Sequence, residues 1–138
     1  MKVSLQKTHG DLNFKGTNDR DQSMQFSGNK EAVSPMEAVL MAAAACSSID
    51  VETILKKMRQ NVLDIKVDIE GTRAETLPAV FTKIHMHYII SGDVKEEKAL
   101  KAVEMSMHEY CSVSLMLAKS VLITHSVEVR QLEWNNDI

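Results

Sequence analysis

The stretch from Ser34 to Lys57, SPMEAVLMAAAACSSIDVETILKK, decides how the rest of this chain must fold. A serine followed by proline, with Glu37 three residues after the serine, is the pattern of a helix N-terminus with a capping box. From Ala38 to Cys46 every residue is apolar, which predicts burial on all sides. The remainder is amphipathic. We therefore predict one long helix whose first half is central to the structure.

The segments around this helix have the patterns of strands and shorter helices. Residues 1–31 are polar, with turn residues between short runs, which predicts a three-stranded antiparallel meander. Two later segments alternate apolar and polar residues, as half-buried strands do. Their apolar faces consist of Leu63, Ile65, Val67 and Ile69 in the first, and of Ile84, Met86, Tyr88 and Ile90 in the second.

The C-terminal part is predicted to contain two helices and a strand. The first helix begins near Asp93, and its apolar stripe consists of Leu100, Val103, Met107 and Tyr110. Around Cys111 the apolar residues no longer follow the helical spacing. Ser112 is a candidate N-cap for a short second helix. The final strand extends from Val121 to Trp134.

This order predicts the α+β class, with antiparallel sheets packed around a long central helix. With 138 residues, we predict a single domain over 1–138, made of a meander (1–31), the central helix (34–60) and a ββααβ unit (61–138). Only 4% of the residues are aromatic, so a chain this short cannot readily cover a helix that is apolar on every side. We therefore predict a homodimer built around the 36–58 helix.

Composition excludes several classes of partner. A net charge of −3 provides no field that attracts nucleic acid or an anionic membrane. The longest uninterrupted apolar run, Ala38 to Cys46, is shorter than the ~20 residues of a transmembrane helix. The N-terminal sequence MKVSLQKTHGDLNF lacks the features of a signal peptide. These observations predict a cytoplasmic protein without nucleic acid or membrane partners.

Cys46 and Cys111 are the candidate reactive residues. In a reducing compartment, two cysteines are more often reactive thiols or small buried residues than a structural disulfide. Asp50 lies on the same helical face as Cys46, and simple packing does not require a carboxylate there. Cys111 lies near a predicted helix start, which would lower the pKa of its thiol.

No metal site or cofactor is predicted from the sequence. His85 and His87 share one face of a predicted strand, at a spacing that is compatible with metal binding. No third ligand lies nearby in the sequence, and two histidines alone make a poor zinc site. We interpret them as part of a solvated sheet face.

The two cysteine segments resemble those of the OsmC-like family, which includes organic hydroperoxide resistance proteins. The opening stretch resembles the family segment P-x-E-L … A-x-x-x-C-x-x-x-D, and HEYCSVSLML around Cys111 resembles its second cysteine motif. Arg73 to Tyr88 looks like the family's central sheet. The resemblance covers residues 34–130 in order and spacing. It implies an intertwined α+β homodimer with two active sites, each of which lies at the dimer interface.

The resemblance also implies an activity, that of a thiol-dependent peroxidase acting on organic hydroperoxides. Cys46 matches the peroxidatic position, where a thiolate attacks the peroxide and becomes a sulfenic acid. Cys111 matches the resolving position, where a second thiol condenses with the sulfenic acid to form a disulfide. An external dithiol, lipoyl or thioredoxin-like, would then reduce the disulfide.

The chain departs from the hydroperoxide branch of the family at the groups that activate the thiol. In that branch, a glutamate directly follows the proline and pairs with an arginine of an early loop. Here Met36 follows the proline, and Glu37 comes one place later. The first hairpin has no arginine, and Arg20 is the nearest candidate cation. Glu37 is thus a candidate catalytic residue and equally a member of the capping box.

Two other functions fit the same residues. A non-enzymatic module would hold a hydrophobic small molecule in the dimer-interface pocket, and the cysteines would then be incidental. A redox sensor would use the disulfide to change the geometry of the dimer. Thiols that are inert toward cumene hydroperoxide would favour the binding module over the peroxidase.

Overall fold

Three short strands in the polar N-terminal segment form an antiparallel sheet with the order β1-β2-β3. They are β1 (Val3–Lys7), β2 (Asn13–Asn18) and β3 (Ser23–Ser27). In the turn between the second and third strands, the side chain of Asn18 accepts the backbone N–H groups of Arg20 and Gln22. The structure is a computed structural model that describes residues 1–132. The sheet belongs to the first of two compact units, residues 1–39.

Helix α1 (Pro35–Lys57) begins and ends with capping motifs that its sequence encodes. The hydroxyl of Ser34 accepts the N–H of Glu37 at 3.1 Å, and the Glu37 carboxylate accepts the N–H of Ser34 at 3.0 Å. This is the predicted capping box. At the other end, Arg59 has a φ of 59°, and the N–H of Gln60 bonds the carbonyl of Leu55. This geometry is a Schellman motif, which stops the helix.

The described part of the chain does not bury α1 on all sides. Ala43, Val51 and Leu55 have no exposed surface, but Met41 is 50% exposed and Ile49 is 65% exposed. One chain therefore does not cover the apolar first half of α1 on all sides, in keeping with the expectation that a chain this short cannot supply that cover. The predicted homodimer, which would cover this stripe, stays a prediction.

By length and composition alone, α1 is also able to cross a bilayer, since an 18-residue window within it has a mean hydropathy of 1.6. The sequence prediction had considered only the uninterrupted apolar run. Core helices of soluble proteins pass the same test. Because α1 contributes fully buried residues such as Val51 and Leu55 to the core, the test does not by itself indicate a membrane protein.

A second sheet lies in the unit that begins at Leu40, with the order β4-β5-β6. The strands are β4 (Asn61–Arg73), β5 (Phe81–Asp93) and β6 (Leu122–Gln131). The first pair is antiparallel as predicted, but β6 runs parallel to β5. The reason is that the helices between them return the chain to the end of the sheet where β5 started. The α+β class is confirmed, with one parallel pair as a correction. Glu133 and Trp134, at the end of the predicted strand, lie outside the described residues.

The alternation of β5 is confirmed, because Ile84, Met86, Tyr88 and Ile90 are fully buried. The alternation of buried and exposed residues in β4 is broken at Leu63, which is 45% exposed. The reason is a β-bulge, which interrupts the pairing of β4 with β5 between positions Val62 and Asp64. Gly92 lies opposite the bulge with a φ of 139°, and a Cβ atom there would overlap the carbonyl oxygen of Asn61. Only glycine fits that position.

Between β5 and β6, the chain forms α2 (Glu96–Met105), a π-helical turn (Ser106–Tyr110) and α3 (Ser112–Leu117). The predicted apolar stripe is wrong at Leu100 and Tyr110, which are 42% and 54% exposed. The buried residues of this segment are Ala99, Ala102, Val103, Ser106 and Met107. These positions keep the ordinary helical spacing, but three of the five are alanine or serine, so a stripe drawn through the large apolar residues misses the buried face.

Candidate functional site

The fold brings the two cysteines together with one carboxylate. The Sγ atoms of Cys46 and Cys111 and a carboxylate oxygen of Asp50 all lie within 4.8 Å of one another. Helix α1 supplies Cys46 and, one turn later on the same face, Asp50. Cys111 comes from the junction between the π-helical turn and α3. Both cysteines are free thiols.

Cys111 is the N-cap of α3, a place that the sequence analysis had given to Ser112. Its backbone is extended, with φ −72° and ψ 101°, and its Sγ accepts the N–H of Ser114 at 3.4 Å. The thiol in turn donates to the Ser114 hydroxyl at 3.2 Å. Cys111 and not Ser112 is the N-cap, because the π-helical turn ends at the residue directly before Cys111.

The environment of Cys111 favours the neutral thiol. Burial raises the pKa of Cys111 above its ordinary value, and the neighbouring Cys46 thiol raises it further, whereas the hydrogen bonds with Ser114 lower it. The sequence analysis expected the helix start to lower the pKa of Cys111. That direction is wrong, because this side chain has no exposed surface and the cost of burying a charge outweighs the hydrogen bonds with Ser114.

Cys46 is half-buried and therefore more accessible than Cys111. The alanines before it explain how the two thiols approach each other. The carbonyl of the fully buried Ala43 lies 3.9 Å from the Sγ of Cys111. The second thiol thus contacts the backbone of α1 directly, which small side chains on this face of the helix permit.

A buried chain of hydroxyl groups lies beside the thiols. The Oγ of Ser106 lies 3.1 Å from Asp50 Oδ2 and 3.1 Å from the Oγ of Ser47, which bonds the hydroxyl of Tyr88. The Ser106 hydroxyl carries one proton and faces two acceptors, Asp50 Oδ2 and the Ser47 Oγ, while Ser47 and Tyr88 share a hydrogen bond in which either hydroxyl can donate. Burial raises the pKa of Tyr88 to about 12, which keeps this hydroxyl protonated. The chain fixes the orientation of the Asp50 carboxylate.

A surface groove of about 480 Å³ borders the site on the side of Asp50. Its lining consists of Asp50, Thr53, Ile54, Lys57, Met58, Met105 and Tyr110. Within residues 1–132, no lysine or arginine nitrogen lies within 4.0 Å of the Asp50 carboxylate. The described site therefore combines two thiols and an acid without a directly paired cation.

Comparison with known proteins gives this arrangement a family. Residues 28–126, which include both cysteines, match the sequence profile of the family described as OsmC-like protein. The chain is a member of the OsmC-like family. It is 47% identical to Protein YhfA of Escherichia coli K12 over 121 residues, which covers 86% of this chain and 90% of that protein. The resemblance inferred from the two cysteine motifs is thus confirmed.

Solved structures show the same OsmC-like fold. A hypothetical protein from Aquifex aeolicus VF5 is 32% identical, with a TM-score of 0.88 over 96% of this chain and 97% of that one. An organic hydroperoxide resistance protein OsmC from Legionella pneumophila is 20% identical, with a TM-score of 0.71 over 94% and 98% of the two chains. At that identity, the second likeness concerns the fold alone.

In this OsmC-like protein, Glu37 has a structural role in the capping box of α1, and that role requires no catalytic function. Hydrogen bonds from the backbone and side chain of Ser34 lower the pKa of Glu37. The candidate cation Arg20 lies in the turn after β2, where its guanidinium contacts Asp19 and Gln22 and is 72% exposed. The catalytic roles considered for Glu37 and Arg20 stay predictions.

The sequence analysis missed most of the hydroxyl chain beside the thiols of this OsmC-like protein. Ser47 was visible as a polar residue that interrupts an apolar helical face. Ser106 has no signal in the sequence, because serine is a residue type that is mostly exposed in folded proteins. Tyr88 was correctly placed in the core, but the partner of its hydroxyl depends on a helix 41 residues away in the sequence.

Proposed function

We propose that this OsmC-like protein is a thiol-dependent peroxidase that reduces organic hydroperoxides. The observation that carries the proposal is the meeting of two free thiols, from α1 and from the N-cap of α3, within 4.8 Å. Membership of the OsmC-like family supports it, as do the hydroperoxide-resistance names of structural neighbours. The proposal includes a single domain that works as a cytoplasmic homodimer.

The cycle begins at Cys46, the more accessible of the two thiols. Its thiolate attacks the terminal oxygen of the hydroperoxide, and the O–O bond breaks. The substrate leaves as an alcohol after taking up one proton, and Cys46 becomes a sulfenic acid. One thiol is oxidised by two electrons, and one peroxide is reduced by two electrons.

The second step belongs to Cys111. Its sulfur attacks the sulfenic sulfur of Cys46, a disulfide forms, and the thiol proton leaves with the sulfenic hydroxyl as water. A carboxylate oxygen of Asp50 lies within 4.8 Å of both sulfur atoms. An external dithiol, lipoyl or thioredoxin-like, then restores both thiols by exchange and is itself oxidised to a disulfide.

The raised pKa of Cys111 supports the assignment of the attack on the peroxide to Cys46 and not to Cys111. A buried neutral thiol is a poor nucleophile toward the peroxide, so it waits until the sulfenic acid has formed beside it. The groove supports the choice of substrate. Ile54, Met58 and Met105 offer an apolar surface next to Asp50, and about 480 Å³ lies in the usual range for small-molecule sites.

Turnover kinetics test the proposal. Cumene hydroperoxide is supplied with dihydrolipoamide, and its consumption is measured. Cys46→Ser should lose turnover, and Cys111→Ser should stop after one equivalent with a sulfenic acid that dimedone traps. Ser112→Ala, an exposed neighbour of Cys111, serves as the matched control and should retain full activity. Full turnover by Cys46→Ser would rule out the proposed nucleophile.

The same groove favours a second candidate function, that of a module which holds a hydrophobic small molecule. In that case the thiols would be incidental. Wild-type protein would leave cumene hydroperoxide intact but would bind an apolar fluorescent probe in the groove. Met58→Glu should release such a probe, because Met58 lines the groove away from the thiols.

A further inference from the structure

The two thiols and Asp50 have the composition of a metal site as well as of a redox site. Zinc in proteins takes thiolate sulfur and carboxylate oxygen among its ligands, and a set of three protein ligands leaves a fourth position open. The three donor atoms here lie within 4.8 Å of one another before any metal draws them closer. Because Cys46 is only half-buried, a solvated cation can reach the cluster.

The residues around the three donors hold them in place. The hydroxyl of Ser106 donates to Asp50 Oδ2, and the backbone N–H of Ser114 donates to the Sγ of Cys111. Both bonds engage the charged, ligating form of their acceptor. Hydrogen bonds of this kind fix the orientation of metal ligands, and the loss of the residue that donates them commonly weakens metal binding.

The charge balance also favours a cation. Two thiolates and a carboxylate would place three negative charges within a few ångströms. In the part of the chain described here, no lysine or arginine nitrogen lies within 4.0 Å of Asp50 to offset them. Lys57 lines the adjacent groove two helical turns further along α1, so it does not replace a bound ion.

We propose that the reduced protein binds one soft divalent cation, with zinc as the first choice, through Cys46, Cys111 and Asp50. Binding replaces the two thiol protons, which pass to solvent, and water completes a tetrahedral set. The sequence alone predicts no metal site, because the pair His85 and His87 has no third ligand nearby in the sequence. The third ligand of the proposed site becomes visible only when the fold joins α1 to the N-cap of α3.

The inference goes beyond the proposed peroxidase and has a consequence for it. A metal that occupies both sulfur atoms prevents the attack of Cys46 and the formation of the disulfide. Zinc would then protect the thiols and inhibit turnover until a chelator removes it. The binding itself requires no peroxide, so it stands or falls independently of the catalytic activity.

Cobalt(II) and zinc(II) are the probes that test this site. Reduced, chelator-treated full-length protein is titrated anaerobically with cobalt(II), and thiolate-to-cobalt charge-transfer absorption should saturate at one equivalent per chain. Zinc(II) should displace the cobalt. Calorimetry with zinc(II) should show the same stoichiometry, and protein oxidised to the Cys46–Cys111 disulfide should not bind.

Variants assign the ligands. Cys46→Ser, Cys111→Ser and Asp50→Asn should each weaken zinc binding, and Ser106→Ala should weaken it by about 10- to 100-fold, the usual effect of losing a partner that orients a ligand. The double variant His85→Gln, His87→Gln is the control for adventitious histidine sites and should bind as the wild type does. A wild-type protein without thiolate-to-cobalt absorption would overturn the proposal. That result does not depend on whether the variants fold. Zinc affinity that falls only in the histidine variant would also overturn it.

Discussion

Cys46 and Cys111 are the same amino acid in two different environments, and the difference is what assigns their roles. Cys111 has no exposed surface, and its sulfur is held by Ser114 and by the proximity of the α1 backbone. Cys46 is half-buried and adjoins an acid. A thiol that is accessible suits the first attack, and a thiol that is enclosed beside it is placed for the second.

The raised pKa of Cys111 predicts how stability depends on pH. A group whose pKa is higher in the folded state stabilises the fold fully below its unfolded pKa, about 8.5 for cysteine, and less as the pH rises through the folded value. The free energy of unfolding in urea, measured with a reductant, should therefore fall as the pH rises above about 8.5, the unfolded pKa of cysteine. Cys111→Ala should show a smaller fall. An equal fall in both proteins would contradict the assignment.

At the scale of elements, the sequence predicted what depends on neighbours along the chain. The capping box of α1 joins Ser34 to Glu37, and the alternation of β5 is a period of two, so both are visible without the fold. The π-helical turn was not visible, because a single widened turn leaves no repeating pattern. The parallel pairing of β6 was not visible either, since it depends on how two helices return the chain to the sheet.

The site was predicted only in part for the same reason. Asp50 follows Cys46 by four residues, so their common face can be read from the sequence. The approach of Cys111 to that face is a contact over long sequence separation, and the motif resemblance rather than the residue pattern pointed to it. The orienting role of Ser106 had no local signal at all.

The capping box predicts the behaviour of Glu37→Gln. Glutamine also serves at this position of a capping box, so the variant should retain α1 and unfold at nearly the same urea concentration as the wild type. We expect hydroperoxide turnover to continue at a rate close to that of the wild type. Glu37→Ala is the comparison that removes the cap. A well-folded Glu37→Gln protein without turnover would show that the carboxylate takes part in catalysis.

At the scale of the whole molecule, the exposed stripe on α1 is the feature that one chain leaves unexplained. Met41 and Ile49 expose half or more of their surface on a helix that supplies Cys46 and Asp50. A second copy that covers this stripe would bury it next to the helical segment that supplies the site. The proposed dimer and the proposed chemistry are thus linked through a single helix.

Sedimentation measures this assembly directly. The wild type should have twice the chain mass of 15.4 kDa at micromolar concentration. Met41→Glu combined with Ile49→Glu should shift it toward the mass of one chain, because burying two carboxylates in an apolar interface is costly. Leu77→Glu is the matched control, since Leu77 is 91% exposed in the loop between β4 and β5. A wild type with the mass of one chain would contradict the proposed dimer.

The most direct measurement of the central claim is a single turnover without a reductant. Fully reduced protein receives one equivalent of cumene hydroperoxide, and its thiols, its intact mass and its digested peptides are then measured. The account predicts that both thiols disappear, that the mass falls by two hydrogen atoms, and that one disulfide links the peptides of Cys46 and Cys111. Two thiols that remain free after the hydroperoxide has been added would contradict it.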